Sequence, residues 1–123
     1  MTDAFYFFDS YAIVEMIKGN ENYSKYINTI FFITKLNLFE VYHSVLKDFG
    51  KEYAAYFMET YYPFAVDYDK EVISEAARFK LENRKMNYSM ADCIGYVISM
   101  RSGIKFLTGD KGFMDLENVE FVR

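Results

Sequence analysis

Short unbroken apolar runs alternate along this chain with longer stretches whose apolar residues recur every three or four positions. Ala4-Phe5-Tyr6-Phe7-Phe8 carries no polar interruption, the pattern of a strand buried on both faces, as in a parallel sheet. Thr29 to Thr34 is β-branched and aromatic throughout and predicts a second buried strand. Phe64-Ala65-Val66 after Pro63, Ile104 to Thr108 and Val119 to Val122 supply three more. Helical spacing fills the intervals: Tyr11 to about Lys18, Glu21 to Asn28, Leu36 to Phe49, Lys51 to Tyr61, Lys70 to about Arg84, Met90 to about Arg101, and one turn over Phe113 to Leu116. Gly19-Asn20 and Ser102-Gly103 are helix stops, and Gly50 joins two helices into a hairpin. Asn37 with Glu40 has the spacing of a capping box, and Asp69 and Ser89 are further caps.

Strands separated by helical crossovers pair in parallel, and right-handed crossovers put helices on both faces. The expectation is one α/β domain over residues 1–123, a three-layer α/β/α sandwich around a five-stranded, mostly parallel sheet. The hairpin from Leu38 to Tyr62 carries more rings than a core face needs. Core packing accounts for positions such as Phe39 and Phe57. The surplus predicts a groove for a partner helix, or a homodimer face.

Composition narrows the class. A hydrophobic content of 52% with one proline and six glycines describes a globular chain. No apolar run is long enough to span a membrane, and Met1-Thr2-Asp3 lacks the basic residues of a signal peptide. The single cysteine excludes an internal disulfide and a cysteine-rich zinc site. A cytoplasmic protein is expected. The net charge of −4, from 18 acidic and 14 basic residues, counts against a plain nucleic-acid-binding module. It counts less against an enzyme whose carboxylates hold cations.

Four acids stand at comparable places in the predicted fold. Asp9 directly follows the first strand, Asp110 comes two residues after Thr108, and Asp92 and Glu40 lie in the first turns of their helices. In a parallel sheet the carboxyl ends of the strands share one edge with the amino ends of the helices that follow them, so all four can converge on one cleft. Each has a simpler reading alone: Asp9 and Asp92 serve helix starts, Glu40 completes a capping box, Asp110 closes a turn. Brought together, four carboxylates repel unless cations neutralise them. Hard divalent ions with oxygen ligands, Mg²⁺ or Mn²⁺, meet that need.

With those pieces in order, the chain resembles a PIN domain from Phe5 to Val122. The matching segments are Phe8-Asp9-Ser10, Asn37-Leu38-Phe39-Glu40, Ser89-Met90-Ala91-Asp92 and Leu107-Thr108-Gly109-Asp110-Lys111-Gly112-Phe113. Their order and intervals are similar to those of the small VapC-type toxins of prokaryotic toxin–antitoxin pairs. The resemblance implies strand order 3-2-1-4-5 and metal-dependent cleavage of RNA phosphodiesters by a metal-activated water. It implies that Asp9, Glu40, Asp92 and Asp110 hold the Mg²⁺ or Mn²⁺ ions, that Ser10 and Thr108 support the site, and that an antitoxin protein is the partner. Two alternatives stay open: a catalytically silent PIN-like module that binds protein or RNA, and a flavodoxin-like phosphoacceptor domain using Asp9 or Asp110.

Substrate contacts in so acidic a chain must come from a few bases, with Lys35, Lys105 and Lys111 as candidates. Asp115 could add an acid near the metals, although an exposed turn residue is the simpler reading. His43, three residues after Glu40, has the spacing to share its helix face, yet a lone helical histidine is more often structural or exposed. Cys93 invites a nucleophile reading that lacks a partner histidine, and reads better as a small buried residue. Asp67 and Asp69 more simply close a strand and cap a helix. No Gly-rich phosphate loop is present.

Overall fold

The structure, a computed structural model, describes residues 4–123. In chain order it runs β1 (Phe5–Phe8), α1 (Ser10–Ile17), a 3₁₀ segment (Glu21–Tyr26), β2 (Ile30–Phe32), α2 (Lys35–Phe49) and α3 (Lys51–Tyr61). A 3₁₀ turn (Tyr62–Phe64) leads to α4 (Lys70–Glu82), another (Arg84–Met86) to α5 (Met90–Ser102), then come β3 (Lys105–Thr108), a last 3₁₀ turn (Lys111–Phe113) and β4 (Val119–Phe121). The strands are all parallel in the order β2-β1-β3-β4. From β1 the chain crosses outward to β2, then returns over β1 to begin β3 on its other side. The gap between the carboxyl ends of β1 and β3 is therefore the switch point of the sheet, where such folds open a crevice.

Successive strand residues point to opposite faces, so the apolar runs feed two cores. Phe8 and Leu107 join Ile13, Ile33, Val41, Ala54 and Phe57 under α1, α2 and α3. Phe7 and Phe106 join Val72, Ala76, Tyr96, Val97 and Phe113 under α4 and α5. Full burial of each such ring contributes about 2–3 kcal/mol. Helix α5 lies so close to β1 that a Cβ at Gly95 would sit 2.4 Å from the Phe7 ring; only glycine permits that approach.

Several sequence expectations change. The sheet has four strands, not five. Residues 62–64 wind into a 3₁₀ turn, because Pro63 fixes its own φ and has no N–H for a ladder. Only Ala65 of the expected third strand still pairs, in a single parallel bridge to Ile33 beyond β2, so the expected edge position is kept without the strand. Residues 21–26 form a 3₁₀ segment where a helix to Asn28 was expected, and the turn at 111–113 replaces the one at 113–116. β1 is central, yet its burial is uneven: Phe5, at its amino end, is exposed and only Phe7 and Phe8 are fully covered. Phe39, expected in the core, is 73% exposed, whereas Phe57 is buried as expected. No described helix is long and apolar enough to cross a membrane.

Candidate functional site

Asp9 sits at the switch point and is 1% exposed. It is the N-cap of α1: its Oδ1 accepts the Ala12 N–H at 2.8 Å, and its own N–H donates to the Leu107 carbonyl across the sheet at 3.2 Å. Its Oδ2 accepts the Thr108 hydroxyl proton, and the Thr108 Oγ1 in turn accepts the Asp110 N–H at 3.0 Å. Capping thus occupies one oxygen only. The other ties β1 to β3 and, through Thr108, to Asp110.

Glu40 does not complete a capping box. The N-cap of α2 is Thr34, which forms the box with Asn37, because the helix begins at Lys35, one residue earlier than its apolar spacing suggests. Glu40 lies one turn further on, and its Oε1 accepts the Ser10 hydroxyl at 2.7 Å. Ser10 is held by Asn37, whose Nδ2 donates to Ser10 Oγ at 3.1 Å while its Oδ1 accepts the Thr34 N–H at 2.9 Å. Asn37 is buried and fixes Ser10, which orients Glu40. Sequence reading missed that role because the spacing marked Asn37 as a cap. Asp92 completes a capping box with Ser89, its Oδ2 accepting the Ser89 N–H at 3.0 Å. Asp110 starts the turn after β3, its Oδ1 accepting the Gly112 N–H at 2.9 Å.

The four acids share one edge and feel one another. Burial, reinforced by the charges of Asp92 and Asp110, pushes the Asp9 carboxyl up to about 8 against its hydrogen bonds from Thr108 and Ala12. Burial first, and then Glu40 and Asp110, also raise Asp92 above the ordinary carboxylate range despite its Ser89 partners. Among the described residues no three His, Cys, Asp or Glu side chains already converge as a ligand cluster. Asp92 Oδ1, Asp110 Oδ2 and Glu40 Oε2 have no protein donor among the described residues. An all-oxygen donor set, partly desolvated and mutually repelling, fits a hard divalent cation such as Mg²⁺ or Mn²⁺ and no soft metal.

The remaining candidates separate cleanly. Lys111, next to Asp110, and Lys35, at the start of α2, are exposed at the same edge, with the Lys35 ammonium 6.0 Å from the Tyr62 ring centroid. Lys105 is the first residue of β3 and pairs with Tyr6, at the opposite end of the sheet from Thr108, so it drops out. His43 and Asp115 are exposed. Cys93 is buried, and burial pushes its thiol up to about 11, which removes the nucleophile reading. Asp69 caps α4 through the Val72 N–H at 3.1 Å, and Asp67 is exposed.

A family model described as "PIN domain" matches residues 6–119. No curated protein matches the chain by sequence. Among solved structures the chain is similar to a toxin–antitoxin complex from Klebsiella pneumoniae, with a TM-score of 0.70 at 13% identity over 93% of this chain and 94% of that one. It is similar to VapBC2 from Rickettsia felis bound to a DNA fragment from its promoter (TM-score 0.71, 16% identity, 95% and 96% covered). A third match is DNA-bound VapBC from Salmonella typhimurium (TM-score 0.71, 14% identity, 96% of each chain).

Proposed function

The chain belongs to the PIN-domain family, and on that premise we propose that it is a VapC-like toxin, a divalent-metal-dependent endoribonuclease neutralised by an antitoxin protein. The observation that carries the reading is Asp9: a buried carboxyl at the switch point, bonded to Thr108 and within reach of the charges of Asp92 and Asp110. Asp9, Glu40, Asp92 and Asp110 would hold the Mg²⁺ or Mn²⁺. Bound there, the cation supplies Lewis acidity that lowers the pKa of water and offsets the charge developing at phosphorus. Thr108 ties Asp9 to the backbone of Asp110, and the Asn37–Ser10 pair fixes Glu40. Lys111 contacts an RNA phosphate beside Asp110. The exposed rings Phe49, Tyr53 and Tyr56, along a groove of about 470 Å³ between α2 and α3, offer an apolar face to an antitoxin helix. A homodimer completes the assembly.

The test is cleavage of a panel of single-stranded and structured RNAs with Mg²⁺ or Mn²⁺. Asp9→Asn should abolish cleavage while leaving the circular dichroism spectrum intact; undiminished cleavage by that variant would sink the reading. The absence of a ready-made three-ligand cluster among the described residues favours a second reading, a catalytically silent PIN-like module. That reading wins if no divalent ion shifts the melting temperature and no RNA in the panel is cut.

A further inference from the structure

We infer that Arg123, seated against the Tyr11 ring and the Gly109 carbonyl, binds a backbone phosphate of the RNA beside the carboxylate cleft; the inference rests on the ribonuclease reading above. A cleft of four acids in a chain of net charge −4 repels a polyanion, so affinity must come from cations placed on its rim. The rim supplies few. Lys80 is committed to the Tyr88 carbonyl, and Lys35 and Lys111 are exposed with no hydrogen bond among those described to hold their ammonium groups in place.

Arg123 is different because the fold holds it in place. Its segment leaves β4 at the carboxyl edge, where the Val122 N–H donates to the Thr108 carbonyl at 2.9 Å. Asn22 Nδ2 donates to the Arg123 carbonyl at 2.8 Å. The guanidinium is restrained twice more: Nη1 donates to the Gly109 carbonyl at 2.8 Å, and the group lies 5.8 Å from the Tyr11 ring centroid. Tyr11 packs so tightly on Gly109 that a Cβ there would lie 2.2 Å from Tyr11 Cε1 and 2.4 Å from the Val122 carbonyl. The charge is therefore anchored to the one residue between Thr108 and Asp110, on a ring whose neighbour in sequence, Ser10, carries Glu40. It is exposed and makes no ion pair among the described residues. The Gly109 bond uses one of five guanidinium N–H donors. The rest form a preorganised fork that matches phosphate oxygens.

The test uses Arg123→Gln, which removes the charge and keeps a polar side chain, and Arg123→Lys. RNA cleavage is measured over a salt series together with thermal melting. Arg123→Gln should raise KM about tenfold with kcat nearly unchanged, and reduce the slope of log kcat/KM against log salt by about 0.7–1, the share of one phosphate contact. Arg123→Lys should keep the slope and raise KM by only about threefold. A Gln variant that melts lower but keeps wild-type KM and slope makes Arg123 a clamp on Gly109 and overturns the inference. If the wild-type protein cleaves RNA and Asp9→Asn does not, such a result leaves the ribonuclease reading standing. If the wild type cleaves nothing, both fall.

Discussion

Replacing Asp9 by asparagine should stabilise this protein in EDTA, the reverse of what removing a salt-bridged acid does. Burial and the nearby Asp92 and Asp110 raise its pKa from 3.8 to about 8. Near neutral pH the folded side chain keeps its proton while the unfolded chain releases it, so folding must take a proton up. The cost grows by about 1.4 kcal/mol per pH unit from about pH 4, reaches roughly 4 kcal/mol near pH 7, and levels off above about pH 8. Below about pH 4 both states hold the proton and the cost vanishes; wild-type stability therefore falls as pH rises through this window. Asparagine removes the titration and keeps an oxygen for the Ala12 N–H. It turns an amide toward Thr108, whose hydroxyl must then accept, a rearrangement costing about 1–2 kcal/mol. The net gain is about 2–3 kcal/mol near pH 7, on the order of 10 °C in melting temperature for a chain of this size. Thermal melts in EDTA at pH 5 to 8.5 should show the two proteins nearly equal at the acid end and diverging as pH rises. Added Mg²⁺ should raise the wild type and leave the variant unmoved. A variant less stable than wild type throughout, or a difference independent of pH, would show that Asp9 is not held protonated in the metal-free fold.

Two other substitutions probe the frame of the site. Gly109→Ala should destabilise by about 3 kcal/mol or more in urea denaturation, since its Cβ would overlap both the Tyr11 ring and the Val122 carbonyl. Asn37→Ala leaves the buried Thr34 N–H without its acceptor and Ser10 without its donor. It should cost about 2–3 kcal/mol and lower kcat on RNA, because Glu40 loses the partner that orients it.

Most of the framework was legible because local signals agreed with the global fold. The unbroken run at Phe5–Phe8 and the short segment Lys105–Thr108 became the central strands, and Asp69 and Ser89 cap the helices their spacing indicated. The four acids reached one edge because strand ends and helix starts meet there. What was hidden depends on contacts distant in sequence. Thr34 outcompeted Asn37 as a cap, and Asn37 was then free to reach Ser10 across 27 positions. Arg123 gains its place only when β4 lies beside β3. Phe39 has helical spacing to the core positions but falls on the outer side of α2, a rotation that apolar pattern alone leaves undecided in so aromatic a helix.

The proposed function stands on Asp9, Glu40, Asp92 and Asp110 forming one divalent-cation site. Anomalous diffraction from crystals soaked in Mn²⁺ tests it most directly. A peak is expected about 2.0–2.3 Å from carboxylate oxygens of Asp9 and at least one of Asp92 and Asp110, absent from Asp9→Asn crystals. A fully soaked crystal with no peak at that edge, or with manganese bound only elsewhere, would contradict it.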